Sequence, residues 1–205
     1  MLRLAPEHHA RAAALYAAAM SADPLHLHFF PDPARRSEQM HALYAFKVAE
    51  SAGMLYAPTP ALEACAIWVP PCGASQARPR TGLLAPLLRL LAAVPLGALS
   101  RMLRYDRFAR GLHRALLPAP HWYLDLIAVA PEHRGRGQAG QLIRPILARA
   151  DAAGLPCYLE TQNPRNLAIY ARFGFAVLRA AAMPDTALTH YAMLRPAGAL
   201  GGEER

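Results

Sequence analysis

The sequence predicts a mixed α/β fold around one central sheet of six or seven strands. Two observations carry that prediction. Short apolar runs of strand character alternate with longer segments whose apolar residues recur every three or four positions. The order is also uneven. Two early strands joined by a proline-containing turn are followed, after a long helical stretch, by a strand–helix–strand unit, which favours a mixed sheet over a purely parallel one.

Met1 to Leu4 reads as a short first strand and Pro6 to Met20 as a helix, with Pro6 suited to a first turn. Asp23 to Pro33, with three prolines and two histidines, reads as a loop. Ala34 to Ser51 is helical, with Met40, Leu43, Tyr44, Lys47 and Val48 at helical spacing, and Gly53 follows its end. Met54 to Ala57 and Ala64 to Val69 form a predicted hairpin, and Pro70 to Pro79 a loop. Thr81 to Leu117 reads as two helices broken near Pro95 and Gly97, forming an apolar layer on the sheet. Next come a strand at Trp122 to Val129, a helix at Gln138 to Ala153 and a strand at Cys157 to Glu160. A short helix at Arg165 to Arg172 and strands at Phe175 to Leu178 and Leu188 to Leu194 complete the pattern. One domain over residues 1–195 is expected, with 196–205 as a flexible tail.

The composition narrows the function classes. At 205 residues, 54% apolar and 18% charged, the chain suits a single folded domain. The net charge of +8 comes from arginines spread along the sequence without a run, so no nucleic-acid partner is expected. Arg3, Glu7 and His8 interrupt any early apolar run, and Pro86, Arg89 and Pro95 break the most apolar stretch. A soluble cytoplasmic protein without a membrane partner, monomer or homodimer, is therefore expected. Cys65, Cys72 and Cys157 are odd in number and lack metal or disulfide spacing, and read as free thiols. His26 and His28 have HxH spacing but no third ligand nearby, so no metal is expected.

The chemistry concentrates in Leu124 to Gly140, LDLIAVAPEHRGRGQAG. A strand runs into a turn holding Gly135, Gly137 and Gly140, and a helix follows. A helix N-terminus behind a glycine-rich turn offers unpaired N–H groups and a positive dipole end, which suits a pyrophosphate. Arg134 and Arg136 add positive charge. No GxxxxGK[ST] loop is present. Gly135 to Gly140 matches GxGxxG, and Glu160 lies near the offset of a ribose-binding acid. Yet the unit comes late and only one such unit follows, where a Rossmann fold needs several.

Arg134-Gly135-Arg136-Gly137-Gln138-Ala139 resembles the [QR]-x-x-G-x-[GA] motif of the GNAT acetyltransferases. The likeness extends upstream through Leu126 to Glu132 and downstream to Asn163-Pro164-Arg165-Asn166-Leu167-Ala168-Ile169-Tyr170-Ala171-Arg172-Phe173-Gly174-Phe175. A narrower resemblance, to puromycin N-acetyltransferases, rests on His121-Trp122-Tyr123-Leu124, on Pro145 within the loop helix, and on Leu159-Glu160-Thr161 with Pro164 to Leu167.

The resemblance implies transfer of an acetyl group from acetyl-CoA, as cosubstrate, to an amine of a small molecule. It implies a V-shaped opening between the strands that end at Val129 and Glu160. Pantetheine would lie along the backbone of Ile127, Ala128 and Val129, and the pyrophosphate on amides of Arg134, Gly135, Arg136, Gly137, Gln138, Ala139 and Gly140. Tyr170 stands where the family has a tyrosine beside the thioester sulfur. A phenol is a suitable proton donor to a departing thiolate, although a packed core aromatic would read the same way. Asn166, one helical turn before Tyr170, is a candidate partner for the pantetheine amide, and Asn163 a helix cap. Three candidates for the base remain open. Glu160 ends the neighbouring strand, Asp125 shares a strand face with Ile127 and Val129 by alternation, and His121 starts that strand. Phe29 and Phe30 with the two histidines, and the helices of Leu83 to Leu117, are candidates to enclose the acceptor. A non-catalytic acyl-CoA-binding module of the same fold is the alternative reading.

Overall fold

The structure is a computed structural model that describes residues 1–51, 53–71, 82–117 and 119–198. Cys72, most of the expected loop over Pro70 to Pro79, and 199–205 of the expected tail lie outside the described residues. The chain begins with β1 (Leu2–Arg3), a 3-10 turn at Pro6–His8 and α1 (His9–Ala19). α2 (Pro24–Phe29), α3 (Pro33–Glu50), β2 (Leu55–Ala57) and β3 (Ala64–Val69) follow. Then come α4 (Leu84–Ala93), α5 (Leu96–Leu116), β4 (Trp122–Val129) and α6 (Gln138–Ala152). β5 (Cys157–Thr161), α7 (Arg165–Ala171), β6 (Ala176–Ala182) and β7 (Thr189–Arg195) complete the order.

The seven strands make one mixed sheet in the order β1-β2-β3-β4-β5-β7-β6. Among the described residues, only the β4–β5 neighbours are parallel. Alternation along the strands feeds two cores. Leu55, Ala57, Cys65 and Ile67 pack with α1, α2 and α3, whereas Ala64, Ala66 and Trp68 pack with α6. The α6 stripe of Leu142, Ile143, Ile146, Leu147 and Ala150 is fully buried. Pro145 sits within that helix. A proline there has no N–H to give the preceding turn, and in that turn the Trp68 indole N–H donates to the Leu142 carbonyl at 3.1 Å. At the far end of α6, Asp151 forms two hydrogen bonds, of 2.7 and 2.8 Å, to the buried guanidinium of Arg195 on β7.

Three expectations change. The segment after Asp23 is not all loop: the Asp23 carboxylate accepts from the Leu25 N–H at 3.0 Å and starts α2, with Pro24 in the first turn. β6 runs on to Ala182, because pairing with β7 carries its mostly exposed alanine stretch. The apolar helices α4 and α5 break at Val94–Pro95 as expected, but several of their leucines face outward and do not layer on the sheet.

Candidate active site

The sheet opens between β4 and β5. Their pairing runs from Trp122↔Cys157 to Leu124↔Leu159 and stops, while β4 continues to Val129, paired on its other edge to β3. The parting coincides with an irregularity. Ile67 pairs with Leu126 and Trp68 with Leu124, so Asp125 is an extra residue opposite no partner. Such a bulge re-aims the side chains beyond it. Ile127 and Val129 consequently pack in the α6-side core, and Ala128 in the α1-side core.

The bulge corrects the expected face of Asp125. Its carboxylate points to the α3 side, away from the face of Ile127 and Val129, and accepts from Lys47 Nζ at 3.2 Å. The nearby carboxylate raises the Lys47 pKa above the ordinary lysine value. Asp125 is thus engaged in an ion pair.

The glycine turn has the properties of an anion cradle. Gly135 and Gly137 have φ of 76° and 75°, and nothing lies within 4 Å of where a Cβ would stand. Gly137 precedes α6 without a side-chain cap, so the N–H groups of Gln138, Ala139 and Gly140 point outward from the first turn. The Oε1 of Gln138 is buried without a hydrogen-bond partner among the described residues. Arg136 is exposed beside the turn, whereas Arg134 donates to the Ala19 carbonyl at 3.3 Å and ties the turn to α1. Gly140 needs no glycine for its backbone conformation; an added Cβ would meet Arg144 and the Phe173 ring at ordinary contact distance.

Past the turn, α7 returns beside the end of β5. The Asn163 carboxamide oxygen accepts from the Arg165 N–H at 3.1 Å and caps the helix, and Asn166 Nδ2 donates to Thr161 Oγ1 at 3.1 Å. Tyr170 is buried in the α6-side core, with Phe175 edge-on. Burial, and then the charge of Asp23, push its phenol well above the ordinary tyrosine range, which keeps the proton on the oxygen.

Glu160 occupies the opposite face. Leu159 points into the α6-side core, so the next side chain points toward α5. Its carboxylate accepts from the Tyr158 hydroxyl at 2.9 Å and the Tyr123 hydroxyl at 3.4 Å. His190 Nε2 stands 3.7 Å away and His113 Nδ1 4.0 Å away. With the Gln162 amide oriented to donate to both Tyr105 Oη and His190 Nδ1, each at 3.0 Å, the His190 proton sits on Nε2, facing Glu160. That nitrogen is buried and has no hydrogen-bond partner among the described residues. His121 lies at the edge of the group, 2.7 Å from His113. Burial lowers the His113 pKa and favours its neutral form. A small cleft lined by His28, Arg101, Arg104, Tyr105, Met183 and Pro184 opens above Tyr105.

Tyr105, His113, Tyr123, Tyr158, Gln162 and His190 were not among the sequence candidates. Alternation places Tyr158 on the face of Glu160 and was a usable signal; the members from α5 and β7 lie too far away in sequence to give one. Of the HxH pair, His26 is a satisfied core residue between Asp23 and Tyr44. Phe29 and Phe30 are buried; Phe29 packs edge-on against Tyr105 and neither lines this cleft, while Phe29 lines a second one with Asp32, Arg35 and Arg101. Cys65 and Cys157 are buried thiols pushed up to about 12 by burial, which leaves them unreactive.

The family model of the acetyltransferase (GNAT) family matches residues 93–175, from the end of α4 through α7. The matched stretch is less than half of the chain and contains the glycine turn and Tyr170. Over 54 residues the chain is 43% identical to an uncharacterized N-acetyltransferase of Schizosaccharomyces pombe, a stretch of 26% of this chain and 22% of that relative. The chain therefore spans about a fifth of that relative's length. Among solved structures, one of a histone acetyltransferase HPA2 and related acetyltransferase from Corynebacterium glutamicum superposes with a TM-score of 0.65. It is 23% identical and covers 96% of this chain and 94% of its own. Arylalkylamine N-acetyltransferase 2 from Aedes aegypti superposes with a TM-score of 0.56 at 10% identity, covering 95% and 97%. These likenesses establish the GNAT fold. The narrower resemblance to puromycin N-acetyltransferases finds no counterpart in them.

Proposed function

We propose that the protein transfers the acetyl group of acetyl-CoA to the amine of a small aromatic or hydrophobic molecule in a ternary complex. One observation carries the reading: the sheet opens at the β4 bulge with a buried phenol, Tyr170, on one face and a buried carboxylate, Glu160, on the other. An acyl transfer to an amine needs a proton donor at the departing sulfur and a proton acceptor at the attacking nitrogen, on opposite sides of the reacting carbon.

In this reading the first turn of α6 holds the pyrophosphate with the N–H groups of Gln138 to Gly140. The free edge of β4 at Ile127 to Val129 bonds the pantetheine, and Asn166, fixed by Thr161, meets its amide. The amine enters from the cleft at Tyr105, and Glu160 accepts its proton directly or through a water held by His190 Nε2. The nitrogen–carbon bond forms as the carbon–sulfur bond breaks, and Tyr170 gives its proton to the leaving sulfur. The products are the amide and free coenzyme A. Arg101, Arg104 and His28 at the cleft disfavour a polycationic acceptor.

The test is thiol release from acetyl-CoA over a panel of aromatic amines, amino acids, aminonucleosides including puromycin, polyamines and peptide N-termini. Turnover of an aromatic or hydrophobic amine is expected. Turnover of polyamines with none for aromatic amines overturns the acceptor class. Acetyl-CoA binding with no thiol release from any acceptor would favour an acyl-CoA-binding module.

A further inference from the structure

The helices α4 and α5 carry leucines on the side where a water-facing helix needs polar residues. Leu84, Leu88 and Leu91 recur at helical spacing on α4 and are 70%, 56% and 51% exposed. On α5, Leu96 and Leu103 are 84% and 63% exposed. The inner side of α4 is already served by Leu90 and Ala93, so the outer leucines contribute nothing to the core. The two helices meet at 118° across the Val94–Pro95 break, with Leu91 and Leu96 on either side of the bend. Apolar surface of this extent on a folded protein marks a binding face.

Its charge selects the occupant. Between residues 82 and 117 there are six arginines, Arg89, Arg101, Arg104, Arg107, Arg110 and Arg114, and one acid, Asp106, which is bonded to Arg110 at 2.8 Å. Two copies of such a face repel each other. An anionic lipid surface supplies both an apolar layer and negative headgroups at matching depths. We propose that the α4–α5 face docks the protein peripherally on an anionic bilayer, its leucines at the acyl boundary and Arg89, Arg107 and Arg114 among the headgroups. Neither described helix is long and apolar enough to cross a membrane alone. The sequence expectation of no membrane partner set surface attachment through the leucines and Arg89, Arg101, Arg104 and Arg107 below a plain hydrophobic layer on the sheet; the outward leucines reverse that weighing. The proposal stands independently of the acetyl-transfer reading.

The experiment is flotation of the full chain with phosphatidylcholine vesicles, with and without phosphatidylserine, at low and physiological salt. Flotation is expected with phosphatidylserine and about tenfold less without it. Leu88→Ser with Leu91→Ser, and separately Leu96→Ser with Leu103→Ser, are expected to lower it about tenfold each. Arg107→Glu with Arg114→Glu is expected to bring it to the level of the neutral vesicles. Circular dichroism confirms that each variant remains folded. Absence of flotation on anionic vesicles overturns the proposal. So does flotation indifferent to both leucine pairs, which would be charge adsorption of the whole basic surface. Self-association without lipid that either leucine pair abolishes would assign the face to a second copy.

Discussion

The two faces of the sheet at the β4–β5 opening are built in different ways. On the α6 side the glycine turn, the helix it starts and the α7 segment with Asn166 and Tyr170 lie within one continuous stretch of chain. On the α5 side, Glu160 is surrounded by Tyr105, His113, Tyr123, Tyr158 and His190, drawn from one helix and three strands. Under the proposed reading, the cosubstrate is held by a local motif, because backbone N–H groups do that work, whereas the acceptor is met by side chains that only the tertiary fold assembles. The comparison can be broken on stability, on rate and on pH.

The largest expected contrast is in packing. Leu142→Ala on α6 removes a fully buried side chain and is expected to cost about 2–5 kcal/mol of stability. Leu88→Ala on α4, more than half exposed, is expected to change stability by less than about 0.5 kcal/mol. Denaturant melts of the two variants decide it. A cost for Leu88→Ala near that of Leu142→Ala would show that the outer face of α4 packs against something in the folded chain.

Next is the proposed proton donor. Tyr170→Phe keeps the ring that packs against Phe175 and removes only the hydroxyl. A fall of about 10²-fold in kcat is expected, with the acetyl-CoA Kd within about twofold, because the proton is needed only as the thiolate develops. Rate at saturating cosubstrate and binding measured separately check this. A normal kcat with weakened binding would move Tyr170 to holding the pantetheine.

Legibility in the sequence follows the same division. β3 and β4 were bounded from sequence as they stand in the structure, and α6 to within one residue, because proline, glycine and apolar period coincide there. The glycine turn ahead of α6 is placed from sequence for the same reason. The bulge at Asp125 was invisible, since strict alternation assigns that side chain to the face of Ile127, and only the pairing to β3 reveals the extra residue. His190 gave no signal, because its position matters only once β7 inserts between β5 and β6. The helical spacing of α4 correctly predicted a helix but gave leucines on every side, so it left open which of them face the core.

The bulge separates the two carboxylates that the sequence offers as bases. Glu160→Gln is expected to lower kcat/KM about 10- to 10²-fold. Asp125→Asn is expected to change kcat/KM by less than about threefold, with a stability loss of about 1 kcal/mol from weakening the half-exposed pair with Lys47. Both variants are read in one pH-rate series. A larger rate loss for Asp125→Asn would return the base to β4 and leave the Glu160 group as a structural network.

The smallest expected effect tests whether the two faces are coupled. β7 contributes Met193 to the α6-side core and His190 to the Glu160 group, and its end is clamped to α6 by Asp151 and Arg195. The hydrogen bonds from Arg195 hold the Asp151 carboxyl below the ordinary aspartate pKa. A carboxylate with a depressed folded-state pKa adds stability that is complete above its unfolded pKa and is lost as pH falls through the folded one. Asp151→Asn is therefore expected to be less stable than wild type by about 1–2 kcal/mol near neutral pH, with the gap closing as pH falls below the ordinary aspartate range. Because Arg195 is fully buried, Asn retains an acceptor for it and spares the larger penalty of an isolated guanidinium. If the faces work independently, kcat for Asp151→Asn at neutral pH stays within about twofold of wild type, since the Glu160 group is set by α5 and β4 as well as β7. Melting temperatures and kcat across the acid range give both readings on one sample. A gap that does not change with pH would place the stabilisation outside this ion pair. A loss of rate well beyond twofold, with the fold intact, would show that the clamp on α6 sets the position of His190 and that the two faces act as one unit.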